Sequence, residues 1–362
     1  MKYIDESKVK IDQNEFLAVV LTTLSSKIAA KSLKMAQVAV DALEFAKKED
    51  IQIIKKAGGS IDDIELINGV LIDKNVEVKS GAAKALILQF CISAPRTNLD
   101  SKIIINDYSL MEKFVREERE YVLNIIKRIK NTGATLLIIQ KNIVRESCSD
   151  LALYFLNKIG ISVINNVDRK DVEYISKFLG IAPVTDIDLL GVPIDVEIEK
   201  IHNMVCFKNV GYTIFVSGCD NLVLDEAERS LNDALCVVKC LKDEPYIVAG
   251  GGAIETGISN LLDQYTGPHS LLIKEIASGF LGMPHLLAHN AGLYSTEIIS
   301  NLKKNIGINR HLGISLRTEF IADMVNDDDV VQPAAVSKSM ITLAIETVQM
   351  LAKIDDILPA MH

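Results

Sequence analysis

Three consecutive glycines, Gly250 to Gly252, are the residues of this chain whose type and spacing best suit the holding of an anion. They stand between an apolar β-type run, Tyr246-Ile-Val-Ala249, and an apolar-periodic segment that reads as a helix. A glycine-rich turn opening a helix lets backbone N–H groups approach a phosphate, and the helix N-terminus favours negative charge. The same three residues serve equally as a tight strand-to-helix connection, and the pattern leaves both readings open. Upstream, Asp225 to Lys242 reads as one helix carrying several carboxylates, Asp233 among them. A helical Asp taken alone is ordinarily part of a solvated face. Leu21-Thr-Thr-Leu-Ser-Ser-Lys27 offers hydroxyl and ammonium donors at Ser25, Ser26 and Lys27, against the plainer reading of a solvated helix face. Cys236 and Cys240 lie one helical turn apart without a second pair at zinc spacing, so the six cysteines read as free thiols of a cytoplasmic protein. Asp327-Asp-Asp329 reads as a solvated loop.

The elements that must position these residues follow from periodicity. At 362 residues, 49% hydrophobic and 24% charged, the chain has ample core for two or three domains. Aromatics are only 5% with no Trp, so Ile, Leu, Val and Ala must fill that core. The net charge of −9 argues against a nucleic-acid binder, and no apolar run reads as long enough to cross a membrane. Residues 11–49 look helical. Ile51 to Ile54, Leu66 to Ile72, Leu86 to Ile92 and Ile103 to Ile105 read as strands. A long amphipathic helix starts at Ser109, its apolar stripe running from Leu110, Phe114, Val115 and Tyr121 through Val122 to Ile129. Gly133 ends it, and a β-α-β-α rhythm follows with Gly160 and Gly180 as helix stops, the pattern of an α/β layer. Met204 to Cys206 and Gly211 to Ser217 are two further strands. Beyond Gly218 the pattern is helical almost to the end, in pieces broken at Gly267-Pro268, at Gly282 with Pro284, and at Gly292. A last helix opens at Gln332-Pro333, with Val336, Met340, Leu343, Thr347, Leu351 and Ile354 as its expected buried stripe. The layout is an α/β module inserted into a helical frame.

Several stretches match a known family in its own order. Lys55-Lys-Ala-Gly-Gly-Ser-Ile-Asp-Asp63, Phe90-Cys-Ile-Ser-Ala-Pro-Arg-Thr97, Arg116-Glu-Glu-Arg119, Leu137-Ile-Ile-Gln-Lys141 and Asp150-Leu-Ala-Leu-Tyr-Phe-Leu-Asn-Lys158 are five of them. Glu226 to Cys240, Ala249-Gly-Gly-Gly-Ala253, Asn290-Ala-Gly292 and Lys353-Ile-Asp-Asp356 complete the set. On these the chain resembles group II chaperonin subunits, most closely the delta type of the eukaryotic cytosolic complex. The resemblance implies a multidomain α+β protein whose apical α/β domain is inserted, through intermediate segments, into a helical equatorial domain. The implied boundaries are 1–65 for the first intermediate segment with the end of an equatorial helix, 66–214 for the apical domain, 215–249 for the second intermediate segment, and 250–362 for the carboxy-terminal equatorial half. It further implies ATP-dependent folding of cytosolic clients of the actin and tubulin type. The setting would be a hetero-oligomeric double ring of chaperonin subunits, with no nucleic acid or membrane involved.

Carried over by residue, Asp233 matches the aspartate that positions the attacking water, a role suited to a carboxylate near the γ-phosphate. Gly251 and Gly252 match the glycines against the nucleotide, and Ser25, Ser26 and Lys27 the segment near the phosphates. Val330 and Gln332 match the stretch near adenine and ribose, with Gln332 standing where the family has Glu. ATP and Mg²⁺ are the implied cofactors. The family's Leu-Gly-Pro-type phosphate loop and its Gly-Asp-Gly-Thr-Thr motif, which holds Mg²⁺, do not occur in the 362 residues. The match thus lacks the amino-terminal equatorial half, and the expectation is that this chain alone is not an efficient ATPase. The helices after Gly252 should then show partly exposed apolar stripes. The alternative is a non-catalytic module that binds clients and ring neighbours. A phosphate-binding α/β enzyme of another kind would want a Walker lysine or dinucleotide fingerprint, and neither is present.

Overall fold

The computed structural model describes residues 2–25, 27, 33–74, 80–93, 108–143 and 146–356. The chain divides into two compact units, one of residues 1–49, 55–65 and 216–362, the other of residues 50–54 and 66–215. In chain order the elements begin α1 (Lys2–Ser7), β1 (Val9–Lys10), α2 (Phe16–Ser25), α3 (Leu33–Phe45), β2 (Ile51–Ala57), β3 (Glu65–Ile72), β4 (Gly81–Leu88) and α4 (Tyr108–Thr132). They continue with β5 (Leu136–Gln140), α5 (Asp150–Ile159), β6 (Ser162–Val167), α6 (Arg169–Leu179), β7 (Ile194–Ile201), β8 (Met204–Gly218) and α7 (Asn221–Asp243). The last are β9 (Tyr246–Ala249), α8 (Ala253–Asp263), α9 (Ser270–Asn290), α10 (Ser295–Asn305), β10 (Leu312–Ile314), β11 (Ile321–Asp323), β12 (Val331–Pro333) and α11 (Ala334–Leu351).

The unit centred on residues 66–215 is an α/β layer. Its sheet runs β2-β8-β7-β4-β5-β6, with β3 also paired to β8. Strands β4, β5 and β6 are parallel, whereas β7 joins β4 and β8 antiparallel. Side chains alternate across a strand, so the sheet sorts its residues between two cores. Leu86, Leu88, Leu137 and Ile139 pack with Val122, Ile126 and Ile129 of α4 and Leu156 of α5. Ile87, Leu136, Ile138 and Ile164 pack on the other face with Val172 and Ile175 of α6. Each such fully buried aliphatic side chain contributes about 1.5–3 kcal/mol. Ser149 caps α5 by accepting a bond from the Ala152 N–H at 3.3 Å, and Gly160 and Gly180 end α5 and α6 at φ of +87° and +66°, as their spacing suggests. Instead of two strands after His202, one 15-residue strand, β8, runs from Met204 to Gly218. The two-residue His202-Asn203 turn, both at positive φ, sets its register with β7.

The other unit carries the glycine turn. Helices α2 and α3 pack against α7, which buries Leu224, Ala227, Leu231, Ala234, Leu235, Val238 and Leu241 along one side. A three-stranded antiparallel sheet β1-β9-β12 follows, with α8, α9, α10, the β10–β11 hairpin and α11 around it.

Several sequence expectations are corrected. Among the described residues of 11–49 the expected helical character falls in α2 and α3, with short 3-10 turns at Gln13–Glu15 and Lys48–Asp50. Gly282 and Pro284 do not break α9, which is continuous over 21 residues and is by length and composition long and apolar enough to cross a membrane. It lies beside α8 and α10 as a member of the helical unit. The stripe assigned to α11 is largely exposed, Leu343 at 58% and Leu351 at 62%, and the residues it buries are Ala334, Ser337 and Ile341. The apolar stripe expected in α4 is present but divided: Leu110, Phe114, Val115 and Tyr121 are exposed, and the residues from Val122 onward reach the sheet. Asp328 is buried, so the acidic loop is not uniformly solvated. The strand expected at Ile103 to Ile105 lies outside the described residues.

Candidate functional site

Strand β9 leads directly into the glycine turn. Its partner β12 pairs Val331 with Ala249 and Gln332 with Val248, and the Gly250 N–H donates to the Val330 carbonyl at 2.9 Å. A Cβ at Gly250 would meet that carbonyl oxygen at 2.9 Å. Gly251 (φ +60°) and Gly252 (φ +77°) are both left-handed, the region in which a side chain costs about 1–2 kcal/mol. A Cβ at Gly251 would sit 2.8 Å from the Met324 sulfur and 3.0 Å from both the backbone N and O of Ile314. One at Gly252 would sit 2.8 Å from the Pro284 Cβ. The Ile314 N–H donates to the Gly251 carbonyl at 2.9 Å, and the Thr256 hydroxyl to the Gly252 carbonyl at 2.8 Å. Backbone conformation and close protein packing therefore each require glycine here. The turn opens α8, with Gly252 at its N-cap.

The other named residues stand on or just beyond α2, α7 and β12, of which β12 pairs with the strand leading into the turn. Helix α2 packs against both α7 and β12, and the Thr22 hydroxyl donates to the Asp329 carbonyl at 2.7 Å. Asp233 stands on α7, and Lys27, just beyond the end of α2, pairs directly with its carboxylate. The Lys27 side chain is 16% exposed and that of Asp233 48%, so the ammonium is withdrawn and the carboxylate half open. Ser25 spends its hydroxyl proton on the Thr22 carbonyl at 2.7 Å, within its own helix. Ser26 lies outside the described residues. Val330 is bound through its backbone, its N–H donating to the Met324 carbonyl at 2.8 Å. Gln332 donates from Nε2 to the Ser337 hydroxyl at 2.7 Å, an interaction a Glu could make only by accepting.

One group escaped the sequence reading. Glu255, in the first turn of α8, is only 7% exposed. Burial pushes its carboxyl above the usual range, opposed by a hydrogen bond from its own backbone N–H. The signal was present, since an acidic residue three positions after a helix N-cap is placed for the helix dipole. The β10–β11 hairpin, which brings Ile314 and Met324 against Gly251, was also missed, because three-residue strands leave little pattern.

The groups suited to a phosphate-bearing ligand are the Lys27 ammonium as a donor, the half-exposed Asp233 carboxylate as an acceptor for water, and the backbone N–H groups at the start of α8. Among the described residues no three His, Cys, Asp or Glu side chains converge as a metal-ligand set.

An insert with parallel strands, a helical frame and this glycine turn are the features of a chaperonin subunit. The TCP-1/cpn60 chaperonin family matches over residues 1–362, and the chain belongs to that family. It is 48% identical to T-complex protein 1 subunit delta of Encephalitozoon cuniculi, over 99% of this chain and 75% of that protein. It is 37% identical to the subunit delta of Homo sapiens, over 96% of this chain and 70% of the relative. Among solved structures, the open-state monomer of a group II chaperonin from Methanococcoides burtonii superposes with a TM-score of 0.70 at 25% identity. That likeness covers 98% of this chain and 89% of the other. The fold is thus group II chaperonin-like, mixed α and β in several parts.

Proposed function

We propose that the chain acts as a subunit of a hetero-oligomeric cytosolic chaperonin and couples nucleotide to the folding of client proteins such as actin and tubulin. Residues 66–214 serve as the client-binding apical domain, 1–65 and 215–249 as intermediate segments, and 250–362 as part of the equatorial nucleotide domain. The observations that support this reading are the Lys27–Asp233 pair and a Gly250–Gly252 turn held by close backbone packing against Val330 and Ile314. When bound, ATP with Mg²⁺ supplies the phosphoanhydride and its counter-charge. The chain's residues then have separable tasks. Asp233 accepts a hydrogen bond from water and orients it, while Lys27 holds that carboxylate in place and offers positive charge. The backbone of Gly251 and Gly252 forms a wall, and Val330 with Gln332 bounds the ribose side. Calorimetry with Mg·ATP on the purified chain, followed by an ATPase assay of wild type and Asp233→Asn, tests it. Binding that Lys27→Ala weakens supports the reading, and absence of any heat of binding refutes it.

A second reading is favoured by a separate observation. Leu271, Leu272 and Leu286 of α9 and Leu343, Val348 and Leu351 of α11 are 58% to 82% exposed, far more than helices of a finished core show. In this reading the 362 residues bind clients and neighbouring subunits without hydrolysing ATP. Client binding with no detectable turnover distinguishes it from the first.

A further inference from the structure

Helix α9 is apolar on two sides. Ala277, Pro284 and Ala288 are buried, on the side facing α8 and α10. On the other side Leu272, Ile276, Met283 and Leu286 are 47% to 65% exposed. Lys274 and Glu275 are its only charged side chains besides the histidines. Helix α11 is held by Ala334, Ser337 and Ile341, and from Leu343 to its end at Leu351 every residue is exposed. At about 100° per residue, Leu343 and Met350 share one side of that segment while Ile345 and Val348 lie on another. These four are 48% to 70% exposed, and Glu346 is the one charged residue between Leu343 and Leu351. A helix apolar all round is ordinarily surrounded by other elements.

The size and pattern of this surface define what fits it. The exposed apolar surface of the two helices is on the order of 1,000 Å² together, beyond the ~300–600 Å² patch of an ordinary monomer and enough for the ~800 Å² that each partner gives a stable complex. Leu272, Ile276, Met283 and Leu286 keep a repeat of about 3.5 residues, as do Val336, Met340, Leu343 and Met350. Such a seam accepts another helix at a crossing angle of about 20°, so the occupant is helical. With Lys274 and Glu275 on α9 and Glu346 alone on the end of α11, no strong like-charge field opposes an identical face. A lipid surface fits less well. Asp355 and Asp356 follow Lys353 beyond α11, so the helix end lacks the basic surplus of a membrane-seeking segment.

We propose that this face docks a second copy of the chain, α9 and α11 of the two copies meeting about a two-fold axis as an intermolecular four-helix bundle. A two-fold interface uses the same patch on both copies, and each copy brings two seams to it. The α11 end, apolar on all its sides, is then enclosed by helices of both chains.

Sedimentation velocity of the purified chain tests this over about 1–50 μM, since interfaces of such area reach micromolar affinity or better. The expected species has twice the 39.8 kDa of one chain. Val348→Glu on α11 and Leu272→Glu on α9 should each weaken the dimer by about 100-fold or more, because each places a carboxylate in the apolar seam. Both side chains are more than half exposed in a single copy, so far-UV circular dichroism should not change. Leu222→Glu, on the exposed start of α7, should leave the dimer intact. A mass of 39.8 kDa at every concentration overturns the proposal, as does open-ended association beyond the dimer. A dimer that survives both Val348→Glu and Leu272→Glu places the contact elsewhere and overturns it too. So does a monomer that floats with neutral phosphatidylcholine vesicles, which would assign the face to lipid.

Discussion

Replacing Gly251 by Ala separates the two roles that a glycine turn can have. The new Cβ must occupy a left-handed backbone at φ +60°, costing about 1–2 kcal/mol. It must also enter space 3.0 Å from the Ile314 N and O and 2.8 Å from the Met324 sulfur. The thioether can swing away, but the Ile314 backbone is held by its own bond to the Gly251 carbonyl at 2.9 Å. Overpacking of this kind costs about 1–3 kcal/mol. The sum is about 2–5 kcal/mol without any nucleotide, a large share of a domain stability of about 5–15 kcal/mol. Because the chain has two units, a single melting curve is not a two-state measure, and native-state hydrogen exchange of the β9 and α8 amides reports this unit directly. Gly279→Ala in α9 is the control. Its Cβ meets no atom within 4 Å, and removing a helical glycine should stabilise by up to about 1 kcal/mol. If Gly251→Ala loses less than about 1 kcal/mol yet abolishes nucleotide binding, the packing argument is wrong and close approach of ligand is what requires glycine.

Three further outcomes are expected. Glu255→Gln should remove a pH dependence: the native carboxyl titrates above its unfolded value, so native stability falls as pH rises from the unfolded pKa through the raised one. The variant should be the more stable of the two at neutral pH, and an unchanged pH slope of the unfolding free energy above the ordinary carboxylate range would contradict this. Asp233→Asn leaves the mostly buried Lys27 ammonium without its counter-charge. After allowance for the half-exposed partner it should cost about 1 kcal/mol by urea denaturation, and no loss would show the pair to be idle for stability. Glu319 holds a positive φ of +58° without being glycine, so Glu319→Gly should stabilise by about 0.5–1 kcal/mol in a thermal shift assay, unless a fall in stability shows that the side chain contributes more than the backbone costs.

What was legible in the sequence was whatever local pattern dictates. The parallel strands with their helices show because Leu136 to Ile139 is a continuous apolar run, and Gly160 and Gly180 stop their helices by backbone alone. The glycine turn was legible for the same reason. Illegible was anything set by distant partners. Periodicity in α11 marks an apolar side but not what covers it: the stripe named there as buried is largely exposed, as expected for the helices after Gly252. Met324 and Ile314 reach Gly251 across a hairpin of three-residue strands, too short for any alternation to register. The Lys27–Asp233 pair joins positions 206 apart, and no spacing rule foretells it.

Helix α4 is in effect two materials joined end to end. From Val122 on, its amides are shielded by side chains wedged into the sheet, and their exchange should require opening of the whole layer. Before that point roughly the first half is exposed on its described sides, assisted by pairs such as Glu112 with Arg116 at 3.7 Å and Lys113 with Glu117 at 4.0 Å. Such pairs contribute a few tenths of a kcal/mol each, and an isolated stretch of that length is marginal as a helix. The helix should therefore unwind progressively from its amino-terminal end. A protease would find its first foothold there, trimming inward until it meets the residues the sheet holds.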